Sequence, residues 1–303
     1  MFKAFLIVFI LLFVTCSGRL QADETQAVKL RFAGAVNGAP FECGKSYTNI
    51  GTTKSTITPR DFRLFVSEIQ LLTSGGKSVP VSLDQDGVWQ YKSVALVDFE
   101  NGSGPCSNGT EATHTEVTGK VPAGNYTGVR FTMGVPFGLN HGDPTIAPSP
   151  LNITAMFWNW QGGYKFLRID TTSTGLPAKP PIKPMAMAHQ AMATHGHDEA
   201  SGYSVHLGST LCASASPTES PSSCKNPNRV TVTFAKFDTT KNTVVADLGA
   251  ILAGANVDHN TPNTSPGCMS FPKDPDCPAV MNALGLPYDG VPPKGSQTLF
   301  SMK

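Results

Sequence analysis

Charge is what this 303-residue chain has least of: charged residues make up 15% and the formal net charge is +1. No run of like charges occurs, which excludes the basic stripe or patch that grips nucleic acid. Long helical periodicities are nearly absent, so a helical bundle is excluded as well. Several enzyme signatures are missing too. There is no Gly-x-Ser-x-Gly elbow, no glycine-rich phosphate loop ahead of a helix, no His-Glu-x-x-His and no Cys-x-x-Cys. The acidic residues are scattered, with no pair placed for glycoside hydrolysis. The expectation is a protein that is not itself an enzyme.

Turn formers and short alternating apolar runs fill the space instead, with 29 glycines and 24 prolines. Residues 27–33 alternate as an opening strand, and Phe62 to Leu72 alternates again before an SGGK turn and the run VPVSL, which together read as a hairpin. Trp89 to Glu100 is a further strand. The turn VPAGNYTG followed by VRFTMGVPF reads as a second hairpin, between Glu116 and Phe137. Gly202 to Cys212 reads as one strand with His206 inside it, Arg229 to Phe237 as another, and VVADLGAIL as a short helix. The fold class expected is all-β, a mainly antiparallel β-sandwich or barrel-like fold with long loops and one or two short helices. Strand signals continue on both sides of a Pro/Met/His-rich stretch at about 171–200. The chain therefore reads as a single domain, 23–303, carrying that stretch as an inserted loop.

The first 22 residues read as a cleaved signal peptide, with Lys3, a short apolar run from Phe5 to Val14, and Leu20-Gln21-Ala22 before Asp23. The run is too short for a membrane span. A periplasmic or secreted protein with no stable membrane anchor is expected. Cleavage removes Cys16 and leaves Cys43, Cys106, Cys212, Cys224, Cys268 and Cys277. An even count in an exported chain favours disulfides. Local pairing of Cys212 with Cys224 and Cys268 with Cys277, leaving Cys43 with Cys106, is the economical choice among the possible pairings. A thiolate metal site is the competing reading, and an oxidising compartment works against it.

Trp158 and Trp160 stand in MFWNWQGGYKFLRID, Met156 to Asp170. On a strand they share a face with Met156, and two adjacent indoles form either a dense packing unit or a reactive surface. His141 lies in the loop upstream and His206 on a strand downstream. Either alone reads as a hydrogen-bonded structural histidine, but beside a Trp/Met face the two become a soft metal site. Met185, Met187, His189, Met192, His195 and His197 form a second soft-ligand cluster, which reads as a loose copper-loading loop or as a solvated insertion. Asp98, Glu100, Asp143 and Asp170 lie near strand ends and read as solvated turn residues or caps.

Five stretches together, Trp89 to Thr110, Val121 to His141, Pro148 to Asp170, Val205 to Cys212 and Gly267 to Cys277, resemble the MbnP family, the metallo-mystery pair four-Cys motif proteins. The resemblance spans most of the chain after the signal segment. It implies a largely β, periplasmic copper-binding protein. It also implies a partner, an MbnH-like di-haem protein of the cytochrome c peroxidase type, that oxidises a tryptophan to kynurenine which then takes part in copper binding. On this chain the implied modified residue is Trp158 or Trp160, and the implied histidines are His141 and His206. Met156 is a further candidate ligand. The four-Cys motif falls on Cys212, Cys224, Cys268 and Cys277. The metal would be copper, as Cu(I) or, with water, Cu(II). The alternative is an exported, disulfide-stabilised β-sandwich interaction module with both indoles in its core and no metal role.

Overall fold

Two main β-sheets packed face to face, together with two two-stranded sheets (Phe157–Asn159 with Gly163–Tyr164, and Thr210–Ala213 with Ser223–Asn226), form the protein in a computed structural model that describes residues 24–159, 161–176, 202–216 and 219–303. In the smaller sheet the strands run Phe300–Met302, Thr243–Asp247, Thr25–Val36, Glu116–Pro122 and Ser82–Leu83, with Ala39–Pro40 paired onto Thr25–Val36. The larger sheet runs Ser204–Leu207, Leu167–Ser173, Ser55–Leu72, Gly128–Met133 and Val230–Phe234. Pairings are antiparallel except that of Thr25–Val36 with Thr243–Asp247. The α-helices among the described residues are short: Phe137–Asn140, Leu248–Leu252 and Pro278–Ala283. This is the all-β, sandwich-like class expected. Among the described residues no helix is long and apolar enough to cross a membrane.

The 18-residue strand Ser55–Leu72 is the spine of the larger sheet. On one face its Phe62 and Leu64 stand opposite Ile169 and Leu167, which in turn stand opposite Val205 and Leu207. All six are fully buried. Phe131 crosses the gap between the sheets, meeting Phe32 edge-on at 5.8 Å and Phe300 at 5.2 Å. Each such buried side chain contributes roughly 1.5–3 kcal/mol.

The disulfides are Cys43–Cys106, Cys212–Cys224 and Cys268–Cys277. The hairpin expected between Ser55–Leu72 and Ser78–Pro80 is present, but other local expectations need correction. Glu116–Pro122 and Gly128–Met133 do not pair with each other. The first pairs with Thr25–Val36 and the second with Ser55–Leu72 and Val230–Phe234, in different sheets. The connection between them crosses from one layer to the other, and alternation cannot reveal that. Gly202 to Cys212 is not one strand: Ser204–Leu207 and Thr210–Ala213 belong to different sheets, parted at Gly208-Ser209. Of VVADLGAIL only the second half is helical. Asp247 ends the strand and caps the helix by accepting from the Gly249 N–H at 2.9 Å. Residues 171–173 still belong to a strand, and most of the expected insertion, 177–201, lies outside the described residues.

Candidate metal centre

The opposite face of the larger sheet is polar, and strand register explains its order. Arg168 stands opposite both Arg63 and His206, and Asp170 opposite both Asp61 and Ser204. Residues paired across antiparallel strands share a face, so a row of three cationic or basic side chains runs beside a row of two carboxylates. Two arginines directly opposite each other repel. The acids between them offset this. Asp61 hydrogen-bonds the Arg63 guanidinium and receives Arg168 Nε at 3.1 Å. Asp170 Oδ2 accepts from Arg168 Nε at 2.8 Å. Arg63 is 1% exposed and faces Glu100, itself fully buried, at 3.8 Å.

His206 ends this ladder. Its Nε2 lies 2.7 Å from Asp170 Oδ1, and its backbone is fixed by N–H donation to the Cys268 carbonyl and by Ser270 Oγ donating to its own carbonyl. Burial pushes the His206 pKa down, against the pull of Asp170. Burial alone would raise Asp170, but His206, Arg168 and a Ser204 hydrogen bond hold it well below the usual carboxylate range. Burial thus works against charge on the ring, while Asp170 is held as the carboxylate. Its Nδ1 is buried and has no hydrogen-bond partner among the described residues. A buried nitrogen without a partner is costly unless something occupies it. A neutral imidazole held by a carboxylate on its other nitrogen is the usual form of a metal-bound histidine, so the residue fits a copper ligand.

Trp158 packs over Gly208, two residues along the chain from His206. Its indole is half-buried and rests on Gly208, where an added Cβ would overlap Cζ3 and approach Cη2 to 3.0 Å. Gly162 makes a similar approach on Cε3. The ring of Phe271, half-exposed, stacks on the indole at 5.6 Å and 27°. The strand expected to run through Trp158 is only Phe157–Asn159, preceded by a 3-10 turn over Thr154–Met156. Met156 therefore does not line up with Trp158: it is fully buried in the main hydrophobic core. Arg168 Nη1 and Lys165 Nζ both donate to the Ala155 carbonyl, at 3.0 and 2.9 Å, and so hold this turn to the ionic ladder. Burial and the Arg168 charge push Lys165 down to about 8.

His141 follows the short helix Phe137–Asn140 and is 5% exposed. Its Nε2 lies 3.2 Å from Asn140 Nδ2 and 3.5 Å from Cys224 Sγ. Asn140 ties this loop to the tryptophan hairpin. Its Oδ1 accepts from the Tyr164 N–H at 2.9 Å, and Gly163, at φ +73°, leaves no room beside it for a Cβ. Asn140 Nδ2 also donates to Ser209 Oγ at 3.3 Å. The seven residues from His206 to Cys212 thus carry His206, the Gly208 seat of Trp158, the Ser209 link to Asn140, and the disulfide beside His141.

Among the described residues, two groups of three His, Cys or carboxylate donors lie within 4.8 Å of one another: His141 with Cys212 and Cys224, and Glu100 with Cys43 and Cys106. In each the sulfurs are joined in a disulfide and offer no thiolate. Trp160, Met185, Met187, His189, Met192, His195 and His197 lie outside the described residues. Asp143 caps a turn, accepting from the N–H and hydroxyl of Thr145. Asp98 and Glu100, expected in solvent, are wholly buried instead, and Asp170 is the acid behind His206.

Comparison with known proteins gives one consistent result. The MbnP family profile matches residues 25–270. The fold is similar to that of MbnP from Methylosinus trichosporium, with a TM-score of 0.75 and 31% identity, over 92% of this chain and 98% of that one. No functionally curated protein matches the chain.

Proposed function

This chain belongs to the MbnP family, and from that premise we propose that it is an exported copper-binding protein of a copper acquisition or handling system. His206, with His141, supplies the imidazole ligands. Trp158 or Trp160 is the residue that a di-haem partner of the cytochrome c peroxidase type oxidises to kynurenine. The observation that carries this reading is the buried Nδ1 of His206, which has no partner among the described residues, on the strand whose continuation seats the half-buried Trp158.

The chain's own residues have definable parts. Asp170 and the Cys268 backbone hold His206 in place. Gly208, Gly162 and Phe271 fix the plane of the Trp158 indole while leaving part of it open to a docking partner. An intact indole offers only an N–H donor. Ring opening replaces it with an aromatic amine and a ketone, both able to act as ligands. Bound copper would supply a soft Lewis-acid and one-electron centre suited to imidazole donors. Three disulfides fit an exported protein.

Co-expression with the di-haem partner, followed by intact-mass measurement and peptide mapping, tests the maturation step. A kynurenine mass increment at Trp158 or Trp160 is expected. Both tryptophans intact after exposure to active partner would contradict it.

A further inference from the structure

Building on the copper reading above, we propose that Asp170 is the positioning residue that makes Nδ1 the metal-donor atom of His206. An ionised carboxylate only accepts hydrogen bonds. With Asp170 Oδ1 at 2.7 Å, the proton of the His206 ring must therefore sit on Nε2. The lone pair is left on Nδ1, the buried nitrogen with no partner among the described residues.

Asp170 is itself oriented. Its Oδ2 accepts from Arg168 Nε, which is shared with Asp61 Oδ2, and Asp61 is held by the buried Arg63. Arg168 also donates from Nη1 to the Ala155 carbonyl, in the turn that leads to Trp158. One guanidinium thus orients both the acid behind His206 and the chain ahead of the indole.

The arrangement gives substitution at Asp170 a definite direction. Arg168 has donors and no acceptor, so it requires oxygen from residue 170. In Asp170→Asn the amide oxygen stays toward Arg168 and the NH2 faces His206 Nε2. That nitrogen must then accept, the ring proton moves to Nδ1, and the donor atom is blocked.

Imidazole 15N NMR on the metal-free protein reads the tautomer directly, and the wild-type spectrum needs no variant to fold. The expected result is protonated Nε2 and bare Nδ1 in the wild type, with the two reversed in Asp170→Asn. One equivalent of Cu(I), which is diamagnetic, should then shift the wild-type Nδ1 resonance, and Asp170→Asn should bind Cu(I) roughly 10–100-fold more weakly. A wild-type ring protonated on Nδ1, or an Asp170→Asn ring still protonated on Nε2, overturns the role of Asp170 even if the protein binds copper. Tautomers as expected with an Nδ1 resonance unmoved by Cu(I) overturn the donor-atom assignment and the copper reading of His206 together.

Discussion

Trp158 sits on Gly208 so closely that a Cβ there would overlap the indole Cζ3, and the half-exposed Phe271 stacks on the ring. Gly208 also parts two strands that belong to different sheets. The absence of a side chain at 208 therefore decides where the indole lies. Gly208→Ala should displace the ring and destabilise the protein by about 1–3 kcal/mol, the usual cost of overpacking. Urea denaturation and tryptophan fluorescence would check this; unchanged stability and emission would mean that the indole does not rest there.

Arg63 is the least exposed cation of the ionic ladder, with Asp61 and Glu100 as its partners. Arg63→Met leaves the buried Glu100 without its counter-charge and Asp61 with Arg168 alone, and should cost about 3–5 kcal/mol. Lys29→Met removes a pair with Glu116 whose side chains are both about half exposed, and should change stability by less than about 1 kcal/mol. Denaturant midpoints of the two variants should differ accordingly.

Burial, reinforced by Glu100, pushes the Asp98 carboxyl up from 3.8 to about 8. The folded state therefore keeps a proton that the unfolded chain has already released. This contribution to stability is fully present below the unfolded pKa and is lost as pH rises through the folded one. Between about pH 5 and about pH 9 the wild type should lose more stability than Asp98→Asn, which cannot titrate. Parallel pH curves for the two proteins would contradict a raised Asp98 pKa.

The disulfides should differ in weight according to the loops they close. Cys43–Cys106 spans 63 positions and Cys212–Cys224 only 12. Loop-closure entropy gives about 4 kcal/mol for the first and about 3 kcal/mol for the second. Double Cys→Ser variants, measured by calorimetry, should fall in that order.

Much of this fold is legible in the residues. The alternation of Phe62, Leu64 and Val66 marks a strand because its period of two matches the pleat. What alternation cannot supply is the partner strand, and so Glu116–Pro122 and Gly128–Met133 look like a hairpin while lying in different sheets. The site divides in the same way. His206 and Trp158 stand out as rare residue types, but Asp170 looks like an ordinary strand-end acid. Its importance comes from cross-strand register with Asp61 and Ser204. A signal was present in Arg63 and Arg168, each set among apolar residues on a strand, where a buried charge requires a partner. Met156 shows the opposite failure. A 3-10 turn ends at it, so period-two counting back from Trp158 places it on the wrong face.

Cu(I) competition titration of the mature protein against its His206→Ala variant tests the central claim most directly. The account predicts one tightly held equivalent in the wild type and at least a tenfold loss in His206→Ala, about 1.4 kcal/mol or more. Equal affinity in the two proteins would contradict it.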